Sequence, residues 1–294
     1  MLRSLSRFEY LAPKTVKDCI DLLKRHGQKA RVIAGGTDLV PRMKWGEVKP
    51  EVVIGLGQIP DLDEIEMIMS SGLKIGALTR VADLVQSGIV NEYYPILVRA
   101  ASVLGSTEIR NRGTVGGNLC NAAPSADMAP ALLVLDAKAV IASGKGERKI
   151  PLEEFFAGPG KTVLSDGEIL VRLEAPPPRA QTGGEYIKLG IRKAMDIAVV
   201  GVAALITTDG TKSVCQEARI ALGAVAPVPM RARDAETVLR GKALNEQVID
   251  LASEAASREA SPVTDIRASE GYRREMVRTL TRRAILQALG NVAP

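Results

Sequence analysis

The chain has 294 residues, of which 46 % are apolar and 25 % charged, and its formal net charge is +5. This length and balance are typical of a folded protein of two or three domains, and they exclude a mini-protein or a disordered chain. Aromatic residues make up only 3 % and none lies in a basic stripe, so no nucleic acid is expected as a partner.

Histidines and cysteines are too few for a metal centre within this chain. His26 is the only histidine, and Cys19, Cys120 and Cys215 are far apart in the sequence. A structural zinc site or an iron–sulfur cluster needs three or four such ligands, so we expect no metal site here. A serine hydrolase is also unsupported, because no Gly-x-Ser-x-Gly motif presents a nucleophile. Any redox chemistry therefore requires an organic cofactor.

Three cysteines without evident pairing, no Asn-x-Ser/Thr sequence and no signal-like N-terminus favour a cytoplasmic location. The longest uncharged apolar run, at 197–206, is about half as long as a bilayer crossing requires. We therefore predict no membrane span and interpret this run as a buried strand.

The first part of the chain predicts a small alternating unit of helices and strands. Apolar residues at helical spacing predict a helix over 15–26, and a strand over 31–34 leads into a short helix over 39–44. A strand over 52–56 completes an alternation that is typical of α/β units. We therefore predict a first lobe over residues 1–57.

From residue 58 the predicted elements become shorter, which indicates a second lobe over residues 58–175. A glycine-rich loop is expected over 111–121, and an apolar helix over 124–135 follows it. The other predicted elements of this lobe are strands over 73–75, 139–142 and 149–151 and helices over 81–88 and 96–104.

A stretch rich in proline and glycine at 176–184 predicts a linker, and an α+β C-terminal domain is predicted over 185–294. Its expected elements are strands over 185–191, 196–207 and 217–224 and helices over 245–258 and 271–289. Arginines on the polar side of the last helix indicate either a solvated face or a docking face for an acidic partner protein. These arginines are Arg273, Arg274, Arg278, Arg282 and Arg283.

Two double-glycine turns are the strongest local signal for a binding site. Gly35-Gly36 and Gly116-Gly117 each lie where a strand or loop meets the start of a helix. Backbone N–H groups there can point into one concavity and bind anionic oxygens. A pyrophosphate would fit such a pair. One such turn alone is more often only a turn, whereas the pair makes a binding site and two plain turns about equally good explanations.

Asp127 and Lys188 are candidate site residues with ordinary explanations. Asp127 opens a helix, so it is either an N-cap or a carboxylate that accepts ribose hydroxyls of a nucleotide. Lys188 lies in a predicted strand, where it is either an exposed lysine or a cation beside a flavin ring. The local sequence favours the N-cap and the exposed lysine.

Four stretches carry a resemblance to a known family. They are Ala-Gly-Gly-Thr-Asp-Leu at 34–39, the run at 105–119 that contains the second glycine turn, Ala-Pro-Ser-Ala-Asp at 123–127 and Asp-Gly-Glu-Ile-Leu at 166–170. On these stretches the whole chain resembles the medium, FAD-binding subunit of the molybdenum hydroxylases, the xanthine dehydrogenase and carbon monoxide dehydrogenase family.

The resemblance implies an α+β fold, in which a two-lobed FAD-binding domain of the vanillyl-alcohol oxidase (PCMH) type precedes a small α+β C-terminal domain. It implies that 32–39 and 114–118 wrap the FAD diphosphate and that Asp127 lies near the ribityl or ribose portion. Leu170 and Lys188 would border the flavin ring, and Lys188 would favour its reduced form. The implied FAD-binding residues are Val32, Ile33, Ala34, Gly35, Gly36, Thr37, Asp38, Leu39, Leu104, Thr114, Val115, Gly116, Gly117, Asn118, Asp127, Leu170 and Lys188.

The resemblance also implies that the chain is the flavoprotein subunit of an oxidoreductase. Its partners would be a large subunit with the molybdenum cofactor and a small subunit with two [2Fe-2S] clusters, assembled as a dimer of heterotrimers. The subunit would accept electrons from the clusters and pass them to an external acceptor, which is NAD, a quinone, a ferredoxin or oxygen. FAD is the only cofactor expected in this chain.

Two other functions are compatible with parts of the sequence. The first is a stand-alone flavin reductase that resembles UDP-N-acetylenolpyruvoylglucosamine reductase, which has about this length. The second is an assembly module without a cofactor, in which the glycine turns are only turns. Flavin binding separates the second from the others, because a ligand of the native state raises its stability.

Overall fold

The first lobe of the computed structural model, which describes residues 5–192 and 194–292, is built on a small parallel sheet. The strands lie in the order β1 (Glu9–Leu11), β3 (Val52–Gly55) and β2 (Ala30–Ile33), with α1 (Val16–His26) and α2 (Leu39–Trp45) between them in the chain. Helix α1 begins where the Thr15 hydroxyl accepts the N–H of Asp18 at 3.0 Å. The elements predicted for this lobe are confirmed, and β1 is an additional strand.

The second lobe is built on an antiparallel sheet. Its strands lie in the order β4 (Ile65–Ile68), β5 (Gly72–Gly76), β10 (Ile169–Ala175), β6 (Lys138–Ser143) and β7 (Gly146–Pro151), and the hairpin of β8 (Phe156–Gly158) and β9 (Lys161–Thr162) precedes β10 in the chain. The helices inserted between β5 and β6 are α3 (Val81–Gln86), α4 (Gly88–Tyr93), α5 (Pro95–Ser102), α6 (Thr107–Arg110), α7 (Val115–Cys120) and α8 (Met128–Val134).

The two faces of the second sheet hold the two lobes together. Val140 and Val171 point to one face and pack with Ile54 of the first lobe. Ile141 and Leu170 point to the other face and pack with the inserted helices. This is the alternation expected for strands that are buried on both sides. The first lobe therefore packs on one face of this sheet, and the inserted helices pack on the other face.

The C-terminal domain is an antiparallel sheet covered by three helices on one side. The strand order is β11 (Thr182–Leu189), β12 (Val200–Thr208), β13 (Cys215–Gly223) and β14 (Met230–Arg231), and the helices are α9 (Arg233–Leu239), α10 (Glu246–Glu259) and α11 (Glu270–Gly290). Val202 and Ile206 of β12 pack towards these helices, whereas Ala203 and Tyr186 pack into the second lobe. No helix among the described residues is long and apolar enough to cross a bilayer.

Two sequence predictions of local structure are wrong in part. The loop expected over 111–121 contains a helical segment, because the Thr114 hydroxyl accepts the N–H of Gly117 at 3.0 Å and starts α7. The strand expected over 196–207 begins only at Val200, and residues 194–198 lie in a loop. Strand β11 begins at Thr182, inside the predicted linker. The predicted domain boundaries themselves remain predictions.

The arginines of the last helix do not form one solvated stripe. Arg273 is 3 % exposed, and its guanidinium donates to the carbonyl oxygens of Val199 and Ala224 and to Asp265, so the expectation of a polar position is wrong for it. The others lie outside the core but largely in ion pairs, Arg274 with Glu270, Arg278 with Glu275 and Arg282 with Asp250. This pairing does not favour a docking face for an acidic partner.

A buried ion pair within the C-terminal domain also reaches the second lobe. The Glu236 carboxylate is almost fully buried, and it accepts the Arg231 guanidinium and the N–H of Ile220. The same guanidinium reaches Asp136, which follows α8, at 2.8 Å. Because each charge is buried against its partner, losing one leaves the other uncompensated.

Replacing Glu236 by alanine should therefore destabilise the fold. The free energy of unfolding should fall by about 3 kcal/mol, because Arg231 then keeps only the half-exposed Asp136 as an ionic partner. Glu254→Ala is the matched control, since the exposed Glu254 pairs only loosely with Arg258 and Arg278 and should cost less than about 1 kcal/mol. Thermal melting measures both, and equal losses would contradict the buried role of Glu236.

Candidate cofactor site

The two glycine turns lie against each other at the boundary between the lobes. A Cβ atom on Gly35 would lie 1.8 Å from the carbonyl oxygen of Arg112 and 3.0 Å from the Cα atom of Gly113. Any side chain at Gly35 would push these backbones apart. Thr114 follows Gly113 directly, so the first turn touches the start of the second.

Other glycines of the two turns are required by the backbone as well. Gly36 has φ of +76°, in the left-handed region that side chains disfavour. A Cβ atom on Gly116 would lie 2.5 Å from the carbonyl oxygen of Ala77. The glycines therefore serve close approach and turn geometry before they serve any ligand.

The first turn offers a row of free backbone donors. Among the described residues, no protein acceptor takes the N–H groups of Gly35, Gly36, Thr37, Asp38 or Leu39. A run of consecutive amides around a left-handed residue forms a concavity that binds anions. This turn can therefore hold negatively charged oxygens without losing any bond within the protein.

The second turn does not offer its amides in the same way. The N–H groups of Val115 and Gly116 donate to the carbonyl oxygens of Thr79 and Ala77, both at 2.9 Å. Those of Gly117 and Asn118 donate to the hydroxyl and the carbonyl oxygen of Thr114. The expectation that both turns present free amides is therefore wrong for the second turn, whose own contacts already satisfy them.

Two neighbouring cavities lie beside the turns and share part of their lining, and together they are called the cleft below. The first has a volume of about 290 Å³ and lies between residues 31–39 and a wall that includes Leu170. The second has a volume of about 340 Å³ and is lined by Leu104, Asp127 and Ile197, among others. Thr37, Asp38, Thr114 and Asn121 line both cavities. An elongated ligand can therefore run past the glycine turns from one cavity to the other.

The structure distributes the predicted site residues along this cleft. Leu170 lies at the first cavity and Leu104 at the second, while Val115 is fully buried and lines neither. Lys188 lies behind the second cavity, where it contacts Asp127. The residues at the first cavity are Val32, Ile33, Ala34, Gly35, Gly36, Thr37, Asp38, Leu39, Thr114, Gly116, Gly117 and Leu170, and those at the second include Thr37, Asp38, Leu104, Thr114, Asn118 and Asp127.

Asp127 and Lys188 form a buried ion pair, which overturns both local expectations. Asp127 makes no side-chain capping bond to α8, so it is not an N-cap in that sense. Its carboxylate instead lies 2.7 Å from Lys188 Nζ and accepts the Tyr186 hydroxyl at 3.0 Å. Both side chains of the ion pair are only 8 % exposed, so Lys188 is not a surface lysine.

The protonation states of this group follow from burial. Burial raises the pKa of Asp127, and the charge of Lys188 and the hydrogen bonds from Lys188 and Tyr186 oppose that rise. Burial and the adjacent carboxylate raise the pKa of Tyr186 well above its ordinary value. Tyr186 therefore stays protonated and donates to Asp127.

No sequence motif pointed directly to Tyr186 or Asn121 as site residues. Tyr186 precedes Lys188 by two positions in a strand, which places both on one face of the sheet, and this spacing was the available signal. Asn121 donates from its side-chain nitrogen to Asp38 Oδ1 at 3.1 Å, across the two lobes. That bond depends on the packing of the lobes and has no local signature.

These features fit FAD. The free amides of residues 35–39 suit a diphosphate, and a cavity on each side of the turns suits a ligand with a ring system at each end. Apolar walls at Leu104 and Leu170 suit the flat faces of those rings. Beside the second cavity, the protonated Tyr186 and the buried Asp127–Lys188 ion pair supply polar groups that are held in place.

The close approach of Gly35 to Arg112 makes Gly35→Ala a test of the site. The added methyl group should separate the lobes locally, lower the stability by about 2 kcal/mol and weaken FAD binding. Gly57→Ala is the control, because no atom lies within 4 Å of a Cβ atom there. Thermal melting and FAD titration measure both effects, and wild-type behaviour of Gly35→Ala would show that the lobes are not in contact at this point.

Comparisons with known proteins identify the family of this chain. Residues 6–178 match the family described as the FAD binding domain in molybdopterin dehydrogenase, and residues 185–288 match the CO dehydrogenase flavoprotein C-terminal domain. The chain is 34 % identical over 281 residues to the xanthine dehydrogenase FAD-binding subunit of Escherichia coli O157:H7, covering 95 % of each. It is 34 % identical over 287 residues to the carbon monoxide dehydrogenase medium chain of Hydrogenophaga pseudoflava, covering 98 % of this chain and 99 % of that one.

Solved structures show the same fold along the whole chain. A carbon monoxide dehydrogenase from Hydrogenophaga pseudoflava that lacks the Mo-pyranopterin moiety of the molybdenum cofactor superposes with a TM-score of 0.95 at 34 % identity, covering 99 % of this chain and 100 % of that one. The expected fold, a two-lobed FAD-binding domain with an α+β C-terminal domain, is thus confirmed. The chain belongs to the FAD-binding medium subunits of the molybdenum hydroxylase family.

Proposed function

We propose that this chain holds FAD between the iron–sulfur clusters of a small partner subunit and an external electron acceptor, in a complex whose large subunit carries the molybdenum cofactor. The observation that carries this proposal is the run of free amides at residues 35–39 between two neighbouring cavities, in a chain of the FAD-binding medium subunits. We further propose a dimer of heterotrimers for the assembly.

The FAD diphosphate would lie on the first glycine turn. The amides of residues 35–39 supply donors, and the side chains of Thr114 and Asn118 line the cleft beside them. The second turn then contributes shape, because its amides are bonded to Thr79, Ala77 and Thr114. Among the residues implied by the family resemblance, 35–39 therefore carry the phosphate contacts.

The flavin ring would occupy the second cavity and the adenine the first. The second cavity is lined by Leu104, Met195 and Ile197, and by the buried carboxylate of Asp127. Leu170 lies at the first cavity, beside Leu56 and Leu78, which gives an apolar wall for the adenine. On this assignment Leu170 lies away from the flavin ring and Lys188 lies close to it.

When bound, FAD supplies a carrier that takes up electrons one at a time and can release them in pairs. The chain would bind and orient it: the amides of 35–39 would hold the diphosphate, and the side chains that line the second cavity would surround part of the ring. Substrate oxidation then takes place on the large partner subunit. The chain is in this sense a subunit of an oxidoreductase.

We infer a cytoplasmic location for the complex. Cys19, Cys120 and Cys215 are all free thiols in the structure, which supports a reducing compartment. The alternative of a stand-alone reductase draws no support from the relatives, which are subunits or chains of dehydrogenases and hydroxylases.

FAD should raise the melting temperature of the purified chain. At a free FAD concentration one hundred times its Kd, the free energy of unfolding should rise by about 2.7 kcal/mol. Gly36→Val should abolish this rise, because a branched side chain at φ of +76° distorts the row of amides. Differential scanning fluorimetry with and without FAD measures both.

Gly241→Val is the matched control for this experiment. Gly241 has φ of +73° and no atom within 4 Å of a Cβ position, so the substitution brings the same backbone strain away from the cleft. It should lower the melting temperature and keep the full rise with FAD. Absence of any rise in the wild-type chain would reject FAD binding, and an undiminished rise in Gly36→Val would reject the phosphate assignment alone.

A further inference from the structure

The ammonium group of Lys188 has no hydrogen-bond donor left for a ligand. Its Nζ atom lies 2.7 Å from Asp127 Oδ2, 2.9 Å from the carbonyl oxygen of Asp196 and 3.2 Å from the carbonyl oxygen of Val103. A lysine ammonium group has three N–H bonds and accepts none. The three protein acceptors therefore use its whole capacity.

These acceptors come from three separate segments of the chain. Val103 directly follows α5, Asp127 directly precedes α8, and Asp196 lies in the loop between β11 and β12. Tyr186 holds the second oxygen of Asp127, so the carboxylate is fixed with one oxygen towards Lys188. Lys188 thus links the C-terminal sheet to two helices of the second lobe and to the loop.

The loop is itself folded around Asp196. The Asp196 carboxylate accepts the N–H groups of Ile191 and Arg192, the latter at 2.7 Å. The N–H of Met195 donates to the carbonyl oxygen of Gly105 at 2.9 Å, which is a second attachment to the second lobe. Loop residues 195–197 line the second cavity. The hydrogen bond from Lys188 to Asp196 therefore attaches one wall of that cavity to the C-terminal sheet.

We propose that Lys188 is a positioning residue, which holds residues 194–198 in place as a wall of the second cavity and makes no hydrogen bond to the flavin ring. This differs from the role that the family resemblance implies, in which Lys188 acts on the reduced ring itself. The consequence for the flavin rests on the proposed function, whereas the consequence for the loop holds for the chain without FAD.

The first experiment measures hydrogen exchange of the Ile191 and Arg192 amides in the full chain without FAD. Lys188→Gln removes the charge, and Lys188→Arg keeps it but replaces a compact three-donor group by a planar fork. Both variants should exchange these amides at least about tenfold faster than the wild-type chain, since neither can reach all three acceptors. Lys74→Gln, at an exposed ion pair with Glu66, is the matched control and should leave them unchanged.

Wild-type exchange in Lys188→Gln, or restored protection in Lys188→Arg, would overturn the proposal. If Lys188→Gln does not fold because Asp127 loses its partner, Lys188→Arg decides the outcome alone. A Lys188→Arg chain that does not fold also contradicts the proposal, because a role confined to the loop predicts a folded protein.

The second experiment uses the FAD-loaded chain and acrylamide, a neutral quencher of flavin fluorescence. If the loop is the wall, the quenching constant should at least double in both Lys188 variants. If Lys188 acts on the ring through its charge, Lys188→Arg should behave as the wild-type chain, which would refute the positioning role. Failure of the wild-type chain to bind FAD would instead reject the proposed function and leave the exchange result standing.

Discussion

The contact between Gly35 and the backbone at Arg112 and Gly113 is the constraint on which the site depends. The first lobe and the helical part of the second lobe are held on opposite faces of the β4–β5–β10–β6–β7 sheet, and they meet again at this point. Because the meeting is between main chains, the contact between the two cavities is made of backbone, which cannot rotate away as a side chain can. A rigid boundary of this kind suits a cofactor that stays bound.

The two glycine turns share a sequence pattern and differ in what they do. At the first turn the amides of residues 35–39 are left without protein acceptors, so the turn is arranged for a ligand. At the second turn, Gly116 allows the chain to approach Ala77 closely. The amides of residues 115–118 donate to Thr79, Ala77 and Thr114. Glycine leaves backbone donors exposed in the first turn and allows close packing in the second. The sequence pattern alone does not distinguish these two roles.

Part of the architecture could be predicted from the sequence, because α1 is periodic over its length and ends at Gly27, and β3 is a short apolar run that ends at a glycine. Strand β1 could not, since three residues show no alternation. The contacts of Lys188 could not be predicted either. Its position in β11 fixes which face it occupies, but Val103, Asp127 and Asp196 come from distant parts of the chain. The family resemblance predicted the site residues, and only the tertiary contacts separate those that offer free donors from those that do not.

The electrostatics of the cleft follow from the same contacts. Arg31 and Arg42 line the first cavity, but Arg31 donates to the carbonyl oxygens of Gln28 and Ala30, and Arg42 pairs with Glu47. Lys188 is neutralised by Asp127 at the other cavity. On the proposed assignment, the negative charge of a bound diphosphate would be met mainly by peptide dipoles, which are fixed by the fold and need no side chain to reorganise. Although its net charge is +5, the chain would then build its anion site largely from uncharged groups.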